Sequence, residues 1–306
     1  MSQRTFVVGT RGSRLALCQT EIVLESLRPT HPPVQFEVCP VRTAGDRSRA
    51  SLSRIGGRGV FVIELERALL AGDIDIAVHS LKDLPSLETP GLTIAAVGQR
   101  EDPRDAIVAR SGLTLTELPS DAVVGTGSPR RAAQLLALRP GLRIADIRGN
   151  VDTRIRKVQD GEYDAVVLAG AALARLGWLD RATELLSLDV MLPAVGQGAL
   201  AVQVRSNDAE AMELVRAADH PETRAAVIAE RAFERRLGGG CQAAIAALGE
   251  VQGGRLRLRG LVADPAGHHL IRDEIEGPSG EAETLGIRLA ERLMGQGAAQ
   301  LLEAAS

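Results

Sequence analysis

The sequence contains very little lysine. Of its 36 basic side chains only two are lysines, Lys82 and Lys157, which leaves 34 arginines. A GC-rich coding sequence, which writes arginine wherever either cation serves, is the simplest explanation. Because arginine is a rigid planar donor whereas the pKa of lysine moves readily, a lysine that persists in such a chain is a candidate for a specific role.

Long apolar runs are also missing. Residues 1–14 lack the apolar core of a signal peptide, and no apolar stretch of about 18 residues follows. We therefore expect a cytoplasmic protein with no membrane partner. The net charge of −3 provides no overall attraction to nucleic acid, so none is expected as a partner.

The chain has few residues that could form disulfides or bind metals. Its three cysteines, Cys18, Cys39 and Cys241, form no CxxC pair, and their odd number favours free thiols. Cys18 and Cys39 lie in periodic apolar segments, so we expect both to be buried and inert. Only His268 and His269 are close in sequence, and neighbours on a strand point to opposite faces. No metal site is expected.

The pattern of elements predicts an α/β fold in several domains. A chain of 306 residues is long enough for two or three domains. Strand-like and helix-like segments alternate over the first part of the chain and then again, which predicts two α/β lobes with parallel-type sheets covered by helices on both faces. The remainder predicts a small C-terminal α+β domain. The expected boundaries are residues 1–98 with 199–217, then 104–193, then 221–306.

Two serines are predicted to cap helices. Ser13 precedes an amphipathic segment, and Ser128 precedes Pro129, a residue that suits the first helical turn. The apolar face of the first helix is expected to carry Leu15, Cys18, Ile22 and Leu27.

Four short segments place cations, glycines or hydroxyl groups at predicted strand-to-helix junctions. They are residues 10–13, 79–85, 125–131 and 148–154. In an open α/β sheet such junctions face the ligand crevice, and helix N-termini there offer N–H groups to anions. Each arginine alone is most simply a solvated surface charge, but together they indicate a cleft for a substrate with many carboxylates or phosphates. The arginines concerned are Arg11, Arg130, Arg131, Arg148, Arg154 and Arg175.

Asp83 and Cys241 are the residues whose chemistry is most distinctive. Asp83 is the only carboxylate in segment 79–85, and it is either a turn residue or a group that stabilises positive charge and moves protons. Cys241 follows three glycines, which favours an exposed loop and makes it a candidate nucleophile or attachment point. No histidine lies near Cys241 in sequence, which weakens a thiol-hydrolase interpretation.

A glycine-rich run at residues 55–60 is a further candidate. It carries one cation, Arg58, and Phe61 directly follows it. Such a run is either a plain loop or a mobile lid over a crevice, and we assign Arg58 and Phe61 to a lid.

Eight motifs follow one another over about 230 residues of the chain. They are TRGS (10–13), AVHSLKDLP (77–85), REDPRDA (100–106), VGTGSPRR (124–131), IADIRGNVDTR (144–154), YDAVVLAGAAL (163–173), LPAVGQGAL (192–200) and LGGGCQ (237–242). In this order, and in a chain of this length, they resemble one family, the porphobilinogen deaminases (hydroxymethylbilane synthases).

The resemblance implies a transferase of tetrapyrrole (porphyrin and haem) biosynthesis. Members of this family join four porphobilinogen molecules, with release of ammonia, onto a covalently bound dipyrromethane primer, and water then frees hydroxymethylbilane. The implied fold has two lobes shaped like those of a periplasmic binding protein, and a small C-terminal domain that carries the cofactor on Cys241 through a thioether. The implied partner is the small-molecule substrate, and a monomer is expected.

The resemblance also implies roles for individual residues. By position, Asp83 is the implied catalytic acid. The residues implied to hold the cofactor are Ser13, Ser80, Lys82, Thr126, Ser128, Arg130, Arg131, Arg148 and Cys241. Those implied to bind substrate are Arg11, Arg148, Arg154, Arg175 and Gln197. The chain departs from the family pattern at Arg58, Gly127, Pro129 and Asp152, where lysine, serine, an aliphatic residue and glycine are expected.

Two other functions compete with this one. A binding protein for an anionic solute would use the same two lobes, but it would be exported and would need neither a third domain nor Cys241. A cysteine-dependent hydrolase would require a histidine that the fold brings close to Cys241.

Overall fold

The computed structural model describes residues 4–41, 62–238 and 243–303. The chain forms two compact units. Unit 1 comprises the residues up to Glu101 together with Ala199–Arg224, and unit 2 comprises Asp102–Gly198 together with the residues from Ala225 onward. The chain therefore leaves unit 1 after Glu101, returns to it at Ala199 and leaves it again after Arg224.

The described residues form strands and helices within the following bounds. The strands are β1 Thr5–Arg11, β2 Gln35–Val41, β3 Ile76–Ser80, β4 Leu92–Val97, β5 Asp105–Ala109, β6 Val123–Gly125, β7 Arg143–Ala145, β8 Ala165–Ala169, β9 Glu184–Leu185, β10 Leu200–Arg205, β11 Ala244–Gln252, β12 Arg255–Ala263 and β13 Leu270–Pro278. The α-helices are α1 Arg14–Leu27, α2 Ile63–Ala71, α3 Pro129–Leu138, α4 Val151–Gln159, α5 Gly170–Leu176, α6 Ala209–Val215, α7 Pro221–Leu237, α8 Ala282–Leu293 and α9 Ala299–Glu303. None of these helices is long and apolar enough to cross a membrane.

Unit 1 is built on a five-stranded sheet in the order β2-β1-β3-β10-β4. β1 runs parallel to β2 and β3, whereas β10 runs antiparallel to β3 and β4. Successive residues of β3 point to opposite faces of the sheet, so both faces are buried. Val78 packs in one core cluster with Leu24 of α1, and Ala77 packs in another with Leu69 of α2.

An ion-pair network ties the start of β1 to the end of β10. Asp75 accepts hydrogen bonds of 2.8 Å from both Arg4 and Arg205, and Asp208 accepts from the same two arginines at 3.0 and 2.8 Å. Burial favours a higher pKa for Asp208, but hydrogen bonds from Arg4, the Ala211 N–H and Arg205 lower it to about 2. None of these residues has a predicted site role, so the network is a control for partly buried ion pairs in this chain.

Unit 2 contains a second five-stranded sheet, in the order β7-β6-β8-β5-β9. β6 runs parallel to β7 and β8, and β5 runs antiparallel to β8 and β9. Every residue of β5 and β8 is buried, as expected of strands covered on both faces. Ile107 packs in one cluster with Leu135 of α3, and Val166 packs in another with Ile155 of α4.

The C-terminal part of unit 2 is an antiparallel sheet in the order β11-β12-β13, on which α7 and α8 pack. Phe233 of α7 and Leu289 of α8 are fully buried in this core. Gly260 of β12 allows the close approach, because a Cβ atom there would lie 2.6 Å from Cζ of Phe233.

The structure confirms the predicted fold class, two α/β sheets followed by a small C-terminal α+β region. Both predicted caps are also confirmed. The Ser13 Oγ accepts from the Ala16 N–H at 3.2 Å and the Ser128 Oγ from the Arg131 N–H at 3.5 Å, with Pro129 in the first turn of α3. The boundaries given for three domains stay a prediction.

Three expectations about packing are wrong. The sheets were expected to be parallel, but they are mixed. β5 and β10 each follow a passage of the chain from one unit to the other, and they run antiparallel to their neighbours because only a local βαβ crossover imposes parallel pairing.

Of the four residues expected on the apolar face of α1 only Leu27 is buried, because apolar residues surround this helix and more than one stripe fits them. Its buried residues are Ala16, Gln19, Thr20, Val23, Leu24 and Leu27, whereas Ile22 is 40% exposed and Leu15 and Cys18 are half-buried. The expectation that Cys18 and Cys39 are buried is also wrong. Both are half-buried, because the buried face of α1 is displaced from Cys18 and because Cys39 lies on β2, an edge strand of its sheet.

Candidate functional site

A cavity of about 100 Å³ opens in unit 1 where β1 and β3 end. Its polar lining comes from the two strand ends and from α1, and Asp83 is the only carboxylate among the described residues that line it. The polar lining residues are Arg11, Ser13, Gln19, His79, Ser80, Lys82 and Asp83. Five of the predicted cofactor, substrate and catalytic residues of unit 1 therefore share one cavity.

Two buried leucines hold Lys82 and Asp83 at the end of β3. Leu81–Asp83 form a single 3₁₀ turn, in which the Leu84 N–H donates to the Leu81 carbonyl at 3.0 Å. Leu81 and Leu84 are buried, so the two charged side chains between them remain half-buried at the cavity. The alternation of apolar anchors and charged residues explains why this segment presents its charges on one side.

Ser80 is held by a glutamine on the neighbouring helix. The Gln19 Nε2 donates to the Ser80 Oγ at 2.9 Å, and the Ser80 hydroxyl lies 3.1 Å from the Gln19 Oε1. Gln19 is only 5% exposed although it is polar. A buried glutamine that contacts a predicted ligand residue fixes the position of that hydroxyl group.

His79 is buried beside the same cavity and belongs to a chain of hydrogen bonds. Thr89 donates to Glu66 at 2.8 Å, and the Gln203 Nε2 donates to the other Glu66 oxygen at 2.9 Å. Because a carboxylate only accepts, Gln203 turns its carbonyl oxygen toward the His79 Nε2, which lies 3.1 Å away. The proton of neutral His79 is therefore on Nε2.

Burial lowers the pKa of His79 from 6.5 to about 4, against a smaller opposing effect of Gln203. The unfolded chain thus takes up a proton below pH 6.5 that the folded protein takes up only near pH 4. As far as His79 is concerned, the free energy of unfolding is greatest above pH 6.5. It declines as the pH falls toward 4, and at pH 5 it is lower by about 2 kcal/mol. We expect urea unfolding at pH 7 and pH 5 to show this loss in the parent but not in His79→Gln. An equal pH dependence in both proteins would contradict it.

In unit 2 a buried carboxylate gathers three of the predicted site residues. Asp105, the first residue of β5, accepts from the Arg130 Nη1 at 2.7 Å and from the Arg131 Nη2 at 2.6 Å. The Gln197 Nε2 donates to the same carboxylate at 2.9 Å. Burial favours a higher pKa for Asp105, but the charges of Arg130 and Arg131 hold it well below the usual range.

Arg130 and Arg131 are buried as a consequence, with exposures of 4% and 7%. Each also donates to a main-chain carbonyl, Arg130 to Leu192 at 2.8 Å and Arg131 to Val167 at 3.0 Å. Thr126 and Ser128 lie directly before them, and the Ser128 N–H donates to the Thr126 Oγ1 at 3.1 Å. The two guanidinium groups are thus fixed parts of unit 2.

The other predicted arginines of unit 2 are half-buried and separate from Asp105. Arg148 pairs with Asp146 at 3.1 Å, and the Arg154 Nε donates to the Gly149 carbonyl at 2.8 Å. The Arg175 Nη2 donates to the Gly198 carbonyl at 2.6 Å. These side chains retain exposed surface with which to bind an anion.

Two departures from the family pattern have local counterparts. A Cβ atom at Gly127 would lie 2.7 Å from the Asp146 Oδ1, so glycine there accompanies an acid that also pairs with Arg148. Asp152 lies 3.9 Å from Arg156 on the exposed side of α4. Three residues assigned above, Arg58, Phe61 and Cys241, lie outside the described residues.

Gln19, His79 and Asp105 were not among the residues singled out in the sequence. Gln19 and His79 each lie in an otherwise apolar segment, and a polar residue there is a usable signal. Asp105 directly precedes the apolar strand residues of β5, but its partners are 25, 26 and 92 residues away. In the described ranges, no three His, Cys, Asp or Glu side chains are placed to hold a metal ion.

The fold and the two groups of residues define the class of this protein, an α/β protein with anion-binding groups at its strand ends. Each unit is an α/β sheet whose strand ends carry arginines, hydroxyl groups and helix N-termini, the donors that bind carboxylate or phosphate. The family is established by direct comparison. Residues 6–213 match the model "Porphobilinogen deaminase, dipyromethane cofactor binding domain", and residues 224–295 match "Porphobilinogen deaminase, C-terminal domain". The chain belongs to the porphobilinogen deaminase family, transferases of tetrapyrrole biosynthesis.

Full-length relatives agree. Porphobilinogen deaminase from Pelotomaculum thermopropionicum is 50% identical over 304 residues, which cover 99% of this chain and 97% of the relative. Porphobilinogen deaminase from Roseiflexus sp. is 48% identical over 301 residues, 98% of this chain and 99% of the relative. Among solved structures, the methionine binding protein MetQ aligns at 14% identity over 70% of this chain and 89% of that one, with a TM-score of 0.44. A likeness that distant carries no conclusion.

Proposed function

We propose that this protein joins four porphobilinogen molecules head to tail, releases one ammonia for each, and frees the product as hydroxymethylbilane. The observation that carries the proposal is the cavity of unit 1, in which one carboxylate, Asp83, stands among Arg11, Lys82 and two serine hydroxyls. Cations bind the acetate and propionate groups of the pyrroles, and Asp83 serves the ring nitrogens.

The residues of this cavity suit a dipyrromethane cofactor. Its acid side chains need cationic and hydroxyl donors, which Lys82, Ser13 and Ser80 supply, and its pyrrole N–H groups need an acceptor, which Asp83 supplies. Arg11, in the same cavity, is proposed to bind the carboxylates of substrate. When bound, the group supplies the pyrrole chain to which new units are joined. We propose Cys241 as its thioether attachment, because this cysteine follows three glycines whereas Cys18 and Cys39 lie within a helix and a strand.

Asp83 would both stabilise charge and move protons. Loss of ammonia from the substrate and attack by the next pyrrole each place positive charge on a ring nitrogen. A carboxylate held within hydrogen-bond reach of that N–H stabilises the cation more than the neutral ring, which lowers the barrier. The neighbouring Lys82 and Arg11 cannot do this, since their charge would repel the ring.

The arginines of unit 2 would divide into two groups. Arg148, Arg154 and Arg175 keep exposed surface and are proposed to bind the carboxylates of substrate, and Arg148 is proposed to hold the cofactor as well. Arg130 and Arg131, buried against Asp105, are proposed to hold the cofactor together with Thr126 and Ser128. Gln197, which donates to the same Asp105, is proposed to bind substrate.

Four further parts of the proposal concern the protein as a whole. We propose that it is a monomer, that it acts in the cytoplasm and that it binds no nucleic acid, in keeping with a net charge of −3. Arg58 and Phe61 are proposed to belong to a lid.

Incubating the purified protein with porphobilinogen tests the function. We expect hydroxymethylbilane to accumulate with about four molecules of ammonia per molecule of product, because each porphobilinogen that is joined releases one ammonia. Ammonia and product are measured in the same time course. Binding of porphobilinogen without release of ammonia would favour the anionic-solute binding protein and contradict the proposal.

A further inference from the structure

Asp105 is a fully enclosed acid of unit 2, and none of its surface is exposed. Its two oxygens accept from Arg130, from two nitrogens of Arg131 and from Gln197, at 2.6 to 3.1 Å. All three donors are residues to which the preceding section gives a binding role, while Asp105 itself has none.

The position of this carboxylate is set by the sheet. Asp105 pairs with Ala169 of β8, and its main-chain carbonyl accepts from the Leu186 N–H at 2.8 Å. A group at the start of a doubly covered strand has little freedom to move. Because all three donors contact this one carboxylate, the sheet fixes their positions through the side chain of Asp105.

Arg130 and Arg131 would not otherwise pack where they do. They lie in the first turn of α3, next to the positive end of the helix dipole, and each repels the other. Burying two adjacent guanidinium groups is unfavourable unless a carboxylate accompanies them. Asp105 supplies that carboxylate, and the main-chain contacts of Arg130 with Leu192 and of Arg131 with Val167 set the orientation of each plane.

We infer that Asp105 is a positioning residue, which holds Arg130, Arg131 and Gln197 as one rigid carboxylate-binding unit. The inference rests on the proposed function. If the two arginines and the glutamine acted independently, altering Asp105, which touches no ligand, would leave binding unchanged. If Asp105 holds them as one unit, altering it should impair the binding of both cofactor and substrate. A displacement of roughly 1 Å in such a unit is enough for a large loss.

Two variants of Asp105 separate charge from geometry. Asp105→Asn removes the charge, and Asp105→Glu keeps it on a side chain longer by one methylene. The control is Asp75→Asn, which likewise removes a carboxylate held by two arginines, here partly buried and with a main-chain N–H as its third donor, in a network with no predicted binding role. For each protein we would measure the urea midpoint, cofactor loading by intact mass, and kcat and KM for porphobilinogen on the loaded fraction.

We expect all three variants to lose stability. Cofactor loading should fall and KM should rise in the two Asp105 variants, by about tenfold or more in Asp105→Asn. In Asp105→Glu the stability should return closer to the parent's value than the KM does, because the negative charge is restored but the position of the carboxylate is not. Asp75→Asn should keep the parent's loading and KM.

A folded Asp105 variant with the parent's loading and KM would overturn the inference. Failure of both Asp105 variants to fold would overturn it too, because the carboxylate would then be a requirement of folding alone. The parent is assayed alongside. If the parent itself does not turn over porphobilinogen, it is the proposed function that fails, whereas an active parent with unchanged variants contradicts only the role of Asp105.

Discussion

Asp83→Asn is expected to fold and to carry its cofactor, yet to lose turnover by about 10²–10³-fold. The amide is nearly the same size as the carboxylate, and Leu81 and Leu84 still anchor the turn, so the cavity should keep its shape. What disappears is the negative charge beside the pyrrole nitrogen and the group that moves its proton. The measurement is turnover per cofactor-loaded molecule.

Two further variants give that experiment its controls. Asp83→Glu should retain a little activity, because the charge survives at an altered reach. Asp73→Asn removes an exposed acid of the same unit that does not line the cavity, and its turnover should equal that of the parent. If Asp83→Asn works within a few-fold of the parent, another group handles the protons and the proposed mechanism is wrong.

Cys241→Ser is expected to abolish both the covalent cofactor and all turnover. The intact mass of the denatured parent should exceed the mass of its sequence by two linked pyrrole units, and the variant should show the bare mass. A hydroxyl group is a far weaker nucleophile than a thiolate, so serine cannot replace the attachment. Without a covalent primer there is no chain end to extend.

The other two cysteines provide the matched control. Cys18 and Cys39 are half-buried cysteines on α1 and β2. Serine at either position should leave the mass excess and turnover intact. An unmodified mass in an active parent protein, or an excess that depends on Cys18 or Cys39, would refute attachment at Cys241.

Local chemistry was the part of the fold that the sequence revealed best. Ser13 and Ser128 were identified as caps because a cap depends on two or three neighbouring residues. The polar lining of the unit 1 cavity was also predictable, since Arg11, Ser80, Lys82 and Asp83 lie in short segments that follow strands.

What the sequence could not reveal depends on distant residues. The direction of β10 is set by the path of the chain through unit 2, and no local pattern records it. The same holds for Arg130 and Arg131. Their sequence is consistent with solvated cations and with ligand-binding residues, and only the structure shows that Asp105 lies beside both. Ile22 was misjudged because periodicity identifies a stripe on a helix but not the stripe that meets the sheet.

The late strand of unit 1 has a consequence for synthesis. β10 is the strand that joins β3 to β4, and it is encoded about a hundred residues after β4. A nascent chain that ends before Leu200 therefore cannot close its first sheet, whereas all five strands of the second sheet lie between Asp105 and Leu185. On the ribosome, the sheet encoded in the middle of the chain can be completed before the sheet encoded at its beginning, the reverse of the usual N-terminal-first order.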